Sequence, residues 1–476
     1  MSLSSASGIN LGDLYGSGLS PGAEIYYVTD ANYSQEVQPR FYDFEPPTFY
    51  GAIKPATAAD VAHIVNVSAG NQIPFLATGG GHGNSLTMSR LQDGLVIDLG
   101  NFNAFSLDAE NNLLTVGGST IYNDVLQTLY DAGKQLPMPN NPCPGVVGAT
   151  LGGGVGLFQG LYGLALDALV SVQLITGRGE ILTASETENS DLFWGIRGAG
   201  YNYGVVTSAT FRVYDAPNNG SILSADFMFP GSANGSIWET LASFDGSFPD
   251  ELVLNILASY DSSTAAPIII VNVVYLGVEA EAQPYLDVFT GLGPTTSSVQ
   301  EVPWTEIASV AFFGANAPGD CTAHGVYAND YTIGLAQTDV STYVSFFNDL
   351  TTFWQAHPDY SGFLVAERMS TAFLQSIPVE STSYGHRDIK THILFENIYP
   401  ADASLDDTVN DFMREARATF QATSGFAELQ AFVNYAHGDE GPEAWYTSAK
   451  LPKLTALKNE YDPLQLLSWN NPVPLK

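Results

Sequence analysis

Residues 77–85 read ATGGGHGNS, with Gly79, Gly80, Gly81 and Gly83 packed around His82. Glycine admits positive φ and lets another backbone or a ligand come close. A basic, nucleophilic ring therefore sits inside a loop built for close approach. The run before it, IPFLAT (73–78), reads as a short apolar strand. Further upstream, Thr57 and Asp60 stand in the manner of a capping box ahead of Val61, Ile64 and Val65, which start a helix. Downstream, GLVIDL (94–99) and LLTVGG (113–118) read as strands, and TIYNDVLQTLYDAG (120–133) as a helix stopped at Gly133. GVVTSATFRVYD (204–215) alternates as a half-buried strand.

A second glycine-rich stretch, GVVGATLGGGVGLFQGLYGLAL (145–166), carries no charge. Its length would allow a membrane crossing. Each interior glycine costs a helix about 1 kcal/mol relative to alanine, so the stretch reads as buried irregular backbone around a ligand. Glycine runs offer backbone N–H groups to phosphate oxygens; they also make ordinary tight turns. Asn84 and Gln159 stand where a G-x-G-x-x-G motif needs its third glycine, and no Gly-Lys-Ser/Thr follows either loop. The Rossmann and Walker fingerprints are both absent.

The texture changes after Ala216. APIIIVNVVYLG (266–277) is a β run, and residues 341–357 and 404–425 are amphipathic helices. They suggest a second α+β unit, a sheet covered on one face by helices. The expected division is an N-terminal segment 1–39, a cofactor domain 40–215, a substrate domain 216–425, and a segment 426–476 that returns to the first domain. The last segment is rich in Tyr, Trp and Pro, as befits a terminus tied down against the fold.

At 476 residues the chain is too long for one ordinary core. Its 50 acidic residues outnumber 16 basic ones. That leaves little material for the Lys/Arg surface that nucleic acid or an anionic membrane requires. Sequons at Asn32, Asn66, Asn219 and Asn234 point to a secreted glycoprotein. MSLSSASGIN has neither a basic start nor an apolar core, so the expectation is a mature secreted chain, with a cytoplasmic one as the alternative. A monomer is expected. No metal is expected, because His386, His392, Cys321 and His324 lack ligand spacing. No G-x-S-x-G elbow is present either.

In chain order, ATGGGHGNS, NNPCPGVVGATLGGGVG, YGLALD, LFWGIRGAGYNYGVVTSATFRV, FVNYAHGDE and LKNEYDPLQLL resemble the FAD-linked oxidases of the berberine bridge enzyme-like group. That group lies in the vanillyl-alcohol oxidase superfamily. The resemblance implies an α+β, two-domain flavoprotein: a PCMH-type FAD-binding domain plus a substrate domain with an antiparallel sheet covered by helices. It implies FAD attached twice, through His82 and Cys143. Imidazole and thiolate are the side-chain nucleophiles suited to an electron-poor flavin ring. Cys143 has another reading, a disulfide with Cys321, the only other cysteine.

The resemblance further places Thr78, Gly79, Gly80, Gly81, Gly83, Asn84 and Ser85 against the cofactor. Gly148, Thr150, Gly152, Gly153, Gly154, Gly156 and Leu157 join from the second loop, with Gly204, Val205 and Val206 from the following strand. Two departures from the family pattern stand out. The segment from Cys143 to the glycine triplet is a residue or two short, and FQGLYGL lacks the arginine often found before YGL.

Tyr435 falls where related oligosaccharide oxidases carry a tyrosine base, against the flavin. Lys390, His392 and Glu396 lie on the strand where plant members place an acidic base. Tyr435 titrates near 10 unperturbed, so as a base it needs a cationic or flavin-linked neighbour. The implied reaction is oxidation of an alcohol, hemiacetal or phenolic substrate by hydride transfer, with molecular oxygen reoxidising the flavin to give hydrogen peroxide. Carbohydrates and secondary metabolites are both candidate substrates. Trp304, Phe312, Phe313, Phe373, Trp445 and Tyr446 are candidate stacking partners. A flavin scaffold for redox-neutral cyclisation or dehydrogenation, and a non-catalytic binding protein, are the alternatives.

Overall fold

Thr57 accepts a hydrogen bond from the Asp60 N–H while the Asp60 carboxylate accepts from the Thr57 N–H, closing the expected capping box at the start of α1 (Ala58–Asn71). The computed structural model describes residues 9–319 and 321–476. Val61, Ile64 and Val65 of α1 share a core with Ile53, Phe75, Leu95 and Ile97 of the first sheet. That sheet holds β1 (Glu24–Tyr27), β2 (Phe49–Lys54), β3 (Phe75–Thr78) and β4 (Gly94–Asp98). Its order is β1-β2-β4-β3, with β4 parallel to both neighbours.

The second sheet is antiparallel, in the order β5-β6-β9-β7-β8. Its strands are β5 (Phe105–Asp108), β6 (Leu113–Gly117), β7 (Leu169–Thr176), β8 (Ile181–Ser185) and β9 (Gly204–Arg212). Between β6 and β7 lie α2 (Tyr122–Asp131) and the uncharged stretch. That stretch forms only two short helices, α3 (Val146–Gly152) and α4 (Gln159–Tyr162), separated by a glycine turn. Among the described residues no helix is long and apolar enough to cross a membrane.

The third sheet begins at Ser221. It is antiparallel throughout and ordered β13-β10-β12-β11-β15-β16-β14. The strands are β10 (Ser221–Pro230), β11 (Leu252–Asp261), β12 (Ala266–Tyr275), β13 (Thr296–Pro303), β14 (Ala328–Leu335), β15 (Phe363–Met369) and β16 (Thr391–Ile398). Side chains alternate faces along a strand, and here the alternation decides function. Leu254, Ile256, Leu364, Ala366, Ile393 and Phe395 pack into one core with α5 (Asn234–Ser243), α6 (Val340–Ala356) and α7 (Ala403–Thr423). Their neighbours Asn255, Leu257, Val365, Glu367, Leu394 and Glu396 face the other way, into a cavity shared with the first two sheets.

Residues near the chain end hydrogen-bond to the first half. The Leu86 N–H donates to the His437 carbonyl (2.7 Å), and Asn434 Nδ2 donates to the Ala149 carbonyl (2.8 Å). Asn471 is fully buried. It accepts from Ser85 Oγ (2.7 Å) and donates its N–H to Thr87 Oγ1 (2.8 Å).

Candidate active site

β3 runs straight into the histidine loop, and backbone crowding explains the glycines there. A Cβ on Gly79 would lie 2.4 Å from the Gly118 carbonyl oxygen, and one on Gly80 2.6 Å from the Gly145 nitrogen. Gly81 takes φ +75° with the Pro39 carbonyl close by. The loop thus threads between three other backbones and holds His82 out into the cavity. The His82 ring stacks on Phe41 at 4.9 Å, and its Nδ1 lies 3.0 Å from the Gly80 carbonyl. A carbonyl can only accept, so Nδ1 carries the hydrogen and Nε2 keeps the lone pair. Burial pulls the ring's pKa below its ordinary value, keeping it neutral and nucleophilic.

The cavity is about 760 Å³, well within the range of small-molecule sites. Thr78, Gly79, Gly80, Gly81, His82, Gly83 and Asn84 line it, as do Cys143, Gly148, Gly154, Gly204, Val205, Val206, Glu396 and Tyr435. Other expected contacts are not on its wall. Ser85 is committed to Asn471, and Thr150 donates to the Val146 carbonyl. Gly152 packs on Asn434, Gly153 on Phe432 and Tyr384, and Gly156 on the Met138 carbonyl. Leu157 is buried in the main core. These second-loop glycines serve close packing of the loop. Of the six candidate stacking aromatics only Phe312 lines the cavity.

His392 is a correction. It is 2% exposed, meets Phe432 edge-on and does not reach the cavity wall. Burial pulls its pKa down to about 3, so it is a neutral packing residue. Lys390 lies off the cavity too, its Nζ donating to the Asp245 carbonyl (2.8 Å).

Glu367, missed in the sequence, holds the central place. It stands on β15 directly across from Asn255 on β11 and His392 on β16. Asn140 Nδ2 donates to its Oε1 (2.5 Å), its Oε2 is buried without a hydrogen-bond partner, and Tyr435 lies beside it on the cavity wall. Burial pushes the Glu367 carboxyl up to about 7. Tyr435 is itself pushed well above 10 by burial, and then by the charge of Glu367. The cationic neighbour expected for a tyrosine base is thus replaced by an acidic one. A second acidic pair lies on the same sheet: Glu396 faces Asp330 across β16 and β14. Burial raises both carboxyls above their ordinary range, and the Asp330 charge adds to the shift at Glu396. Asn84 Nδ2 donates to Asp330 Oδ2 (2.7 Å), tying this pair to the histidine loop.

Cys143 is the second correction. Its sulfur is bonded to that of Cys321. A sulfur joined to Cβ and to a second sulfur has no bond left for a flavin, so this pairing and the thioether expected from the resemblance exclude each other.

Two family models match this chain: an FAD binding domain over residues 50–185, and a "Berberine and berberine like" region over residues 431–474. The "FAD-linked oxidoreductase azaL" of Aspergillus niger is 49% identical over 96% of this chain and 97% of its own length. The chain belongs to the berberine bridge enzyme-like FAD-linked oxidoreductases. The fold agrees. The "Physcomitrella patens BBE-like 1 wild-type" structure superposes with a TM-score of 0.85 at 22% identity, over 98% of this chain and 100% of that one. The glucooligosaccharide oxidase of Acremonium strictum, described with a "6-s-cysteinyl, 8 alpha-N1-histidyl FAD", gives 0.82 at 20% identity, over 95% and 97% of the chains.

This FAD-linked oxidoreductase has a cavity that fits its cofactor. Gly148 lines it, and a Cβ added there would meet nothing within 4 Å, so the glycine keeps open the space beside the loop. Four glycine-built backbone segments converge on that space.

Proposed function

We propose that the protein oxidises a hydroxyl group on an apolar, aromatic small molecule, with Tyr435 relaying the hydroxyl proton to Glu367. The observation that carries this reading is Glu367 on the cavity wall, held at Oε1 by Asn140, with its Oε2 unpartnered and Tyr435 beside it. FAD, held by the glycine loops and His82, supplies the hydride acceptor. Tyr435 is not a phenolate base, because its pKa is raised. It accepts the substrate proton only as it passes its own to Glu367, whose carboxyl titrates at about 7 and is matched to neutral pH. Asn140 orients that carboxylate. Flavin bound there would return the two electrons and two protons taken from the substrate to molecular oxygen, which would leave as hydrogen peroxide.

The substrate class follows from the wall. Phe41, Tyr42, Leu257, Phe312, Phe363, Val365, Leu394 and Phe432 make much of it apolar and aromatic, with Asn140, Asn255, Glu367, Glu396 and Tyr435 among its polar groups. A sugar needs a hydrogen-bond partner for most of its hydroxyls; a phenol or benzylic alcohol does not. Anaerobic flavin reduction by a panel of phenols and aryl alcohols beside a panel of oligosaccharides tests the assignment. Reduction by the aromatic panel, followed by peroxide release in air, is the expected result. Reduction by oligosaccharides alone overturns the substrate class, and protein isolated without flavin overturns the reading as a whole.

A further inference from the structure

Residues 311–319 and 321–326 form a strap along the cavity, with Phe312, Asn316, Pro318 and Cys321 on its wall. The strap is anchored without any help from sulfur. At one end the Asp226 carboxylate accepts the N–H groups of Phe312 (3.0 Å) and Phe313 (2.7 Å). At the other, the Gly325 N–H donates to the Arg40 carbonyl (3.0 Å) and the Val326 N–H to the Phe41 carbonyl (2.8 Å). Between them Asn316 Nδ2 donates to the Asn140 carbonyl (3.2 Å). These contacts bring a segment of the third sheet's half onto the Asn140–Cys143 turn, where the Cys143 N–H is fixed by Asn141 Oδ1 (2.9 Å). The two cysteine Cα atoms end 5.2 Å apart, inside the window that a disulfide needs. Both backbones are held there independently, so each thiol meets the other at high effective concentration.

We infer that Cys143 is the covalent partner of Cys321 and not a flavin ligand, so that His82 is the only covalent tether of the flavin. The inference rests on the FAD reading above. The chemistry balances simply: two thiols give up two protons and two electrons to molecular oxygen, which leaves as hydrogen peroxide. The disulfide also has a job at the site. It adds a covalent link to the hydrogen bond that joins the turn bearing Asn140, which orients Glu367, to the strap pinned at Asp226. Cys321 is thereby a positioning residue for the proton relay.

The test is peptide mapping of the flavin-loaded protein, alkylated and digested without reduction. The expected result is a linked pair of peptides containing Cys143 and Cys321, with the flavin mass on the His82 peptide alone. Flavin mass on the Cys143 peptide, with Cys321 alkylated, overturns the inference. Thiol counts on denatured protein give a crossed check. Pairing predicts no free thiol in wild type and one in Cys321→Ser; a cysteinyl flavin predicts one in wild type and none in the variant. Protein without flavin but with the linked pair would sink the functional reading and leave the pairing intact. A merely structural bridge would leave the pH profile of flavin reduction alone, whereas loosening Asn140 in Cys321→Ser shifts the Glu367 limb of that profile. An unchanged profile overturns the positioning role.

Discussion

At the scale of single residues, the relay makes the sharpest claims. Glu367 must be a carboxylate to receive the proton, so flavin reduction rises with pH through about 7 and levels off above it. Glu367→Gln removes that limb and slows reduction by about 100- to 10,000-fold, the usual worth of general-base catalysis. Tyr435→Phe lowers the rate by a similar factor with little effect on substrate binding, since the ring remains. Anaerobic stopped-flow across pH 5–9, as a trial range of about four units, checks both. The four sequons also separate at this scale. Asn32, Asn66 and Asn219 are exposed, but Asn234 is buried. Its Nδ2 donates to the Val344 carbonyl (3.1 Å) and its Oδ1 accepts from Trp238 Nε1 (2.7 Å). Folded protein from a glycosylating host should carry no glycan at Asn234 in a glycopeptide map, because the sugar has nowhere to go.

At the scale of elements, the histidine loop, the capped helix α1 and the amphipathic helices were all legible. Each depends on local chemistry: Thr57 with Asp60, glycines beside a nucleophile, apolar spacing. Glu367 left a fainter trace. In FLVAERM (363–369) it ends the row Phe363, Val365, Glu367, a charge on an otherwise apolar face. Which face meets a cavity and which meets helices is set by long-range register, and no short window contains that. The Cys143 alternatives were open for the same reason, because Cys321 is 178 residues away. The glycines of the second loop, expected at the cofactor, answer to packing. A Cβ at Gly156 would lie 1.8 Å from the Met138 carbonyl. Gly156→Ala should therefore destabilise by about 1–3 kcal/mol in chemical denaturation, the usual penalty for overpacking. The turn before β7 is locked from outside by Arg387, whose guanidinium donates twice to the Asp167 carboxylate (2.8 and 3.1 Å). Both side chains are more than nine-tenths buried. Arg387→Ala leaves the Asp167 charge stranded and should cost about 3–5 kcal/mol by the same measurement.

At the scale of the whole molecule, the cavity is closed by three parties: the glycine loops of the first half, the cavity-facing side of the third sheet, and the segment after residue 430. Asn471 joins the last to the first. Besides Ser85 and Thr87 it donates to the Val433 carbonyl (3.0 Å) and accepts from the Tyr446 hydroxyl (2.5 Å). That clasp has a consequence in time. Residues 469–473 emerge from the ribosome after everything they touch, some 386 positions behind Ser85. Until they arrive, the segment just past His82 lacks its partners, and the nascent chain has a half-built pocket. Completion of the pocket must therefore follow synthesis of the clasp, and the order of translation becomes part of how the fold is finished.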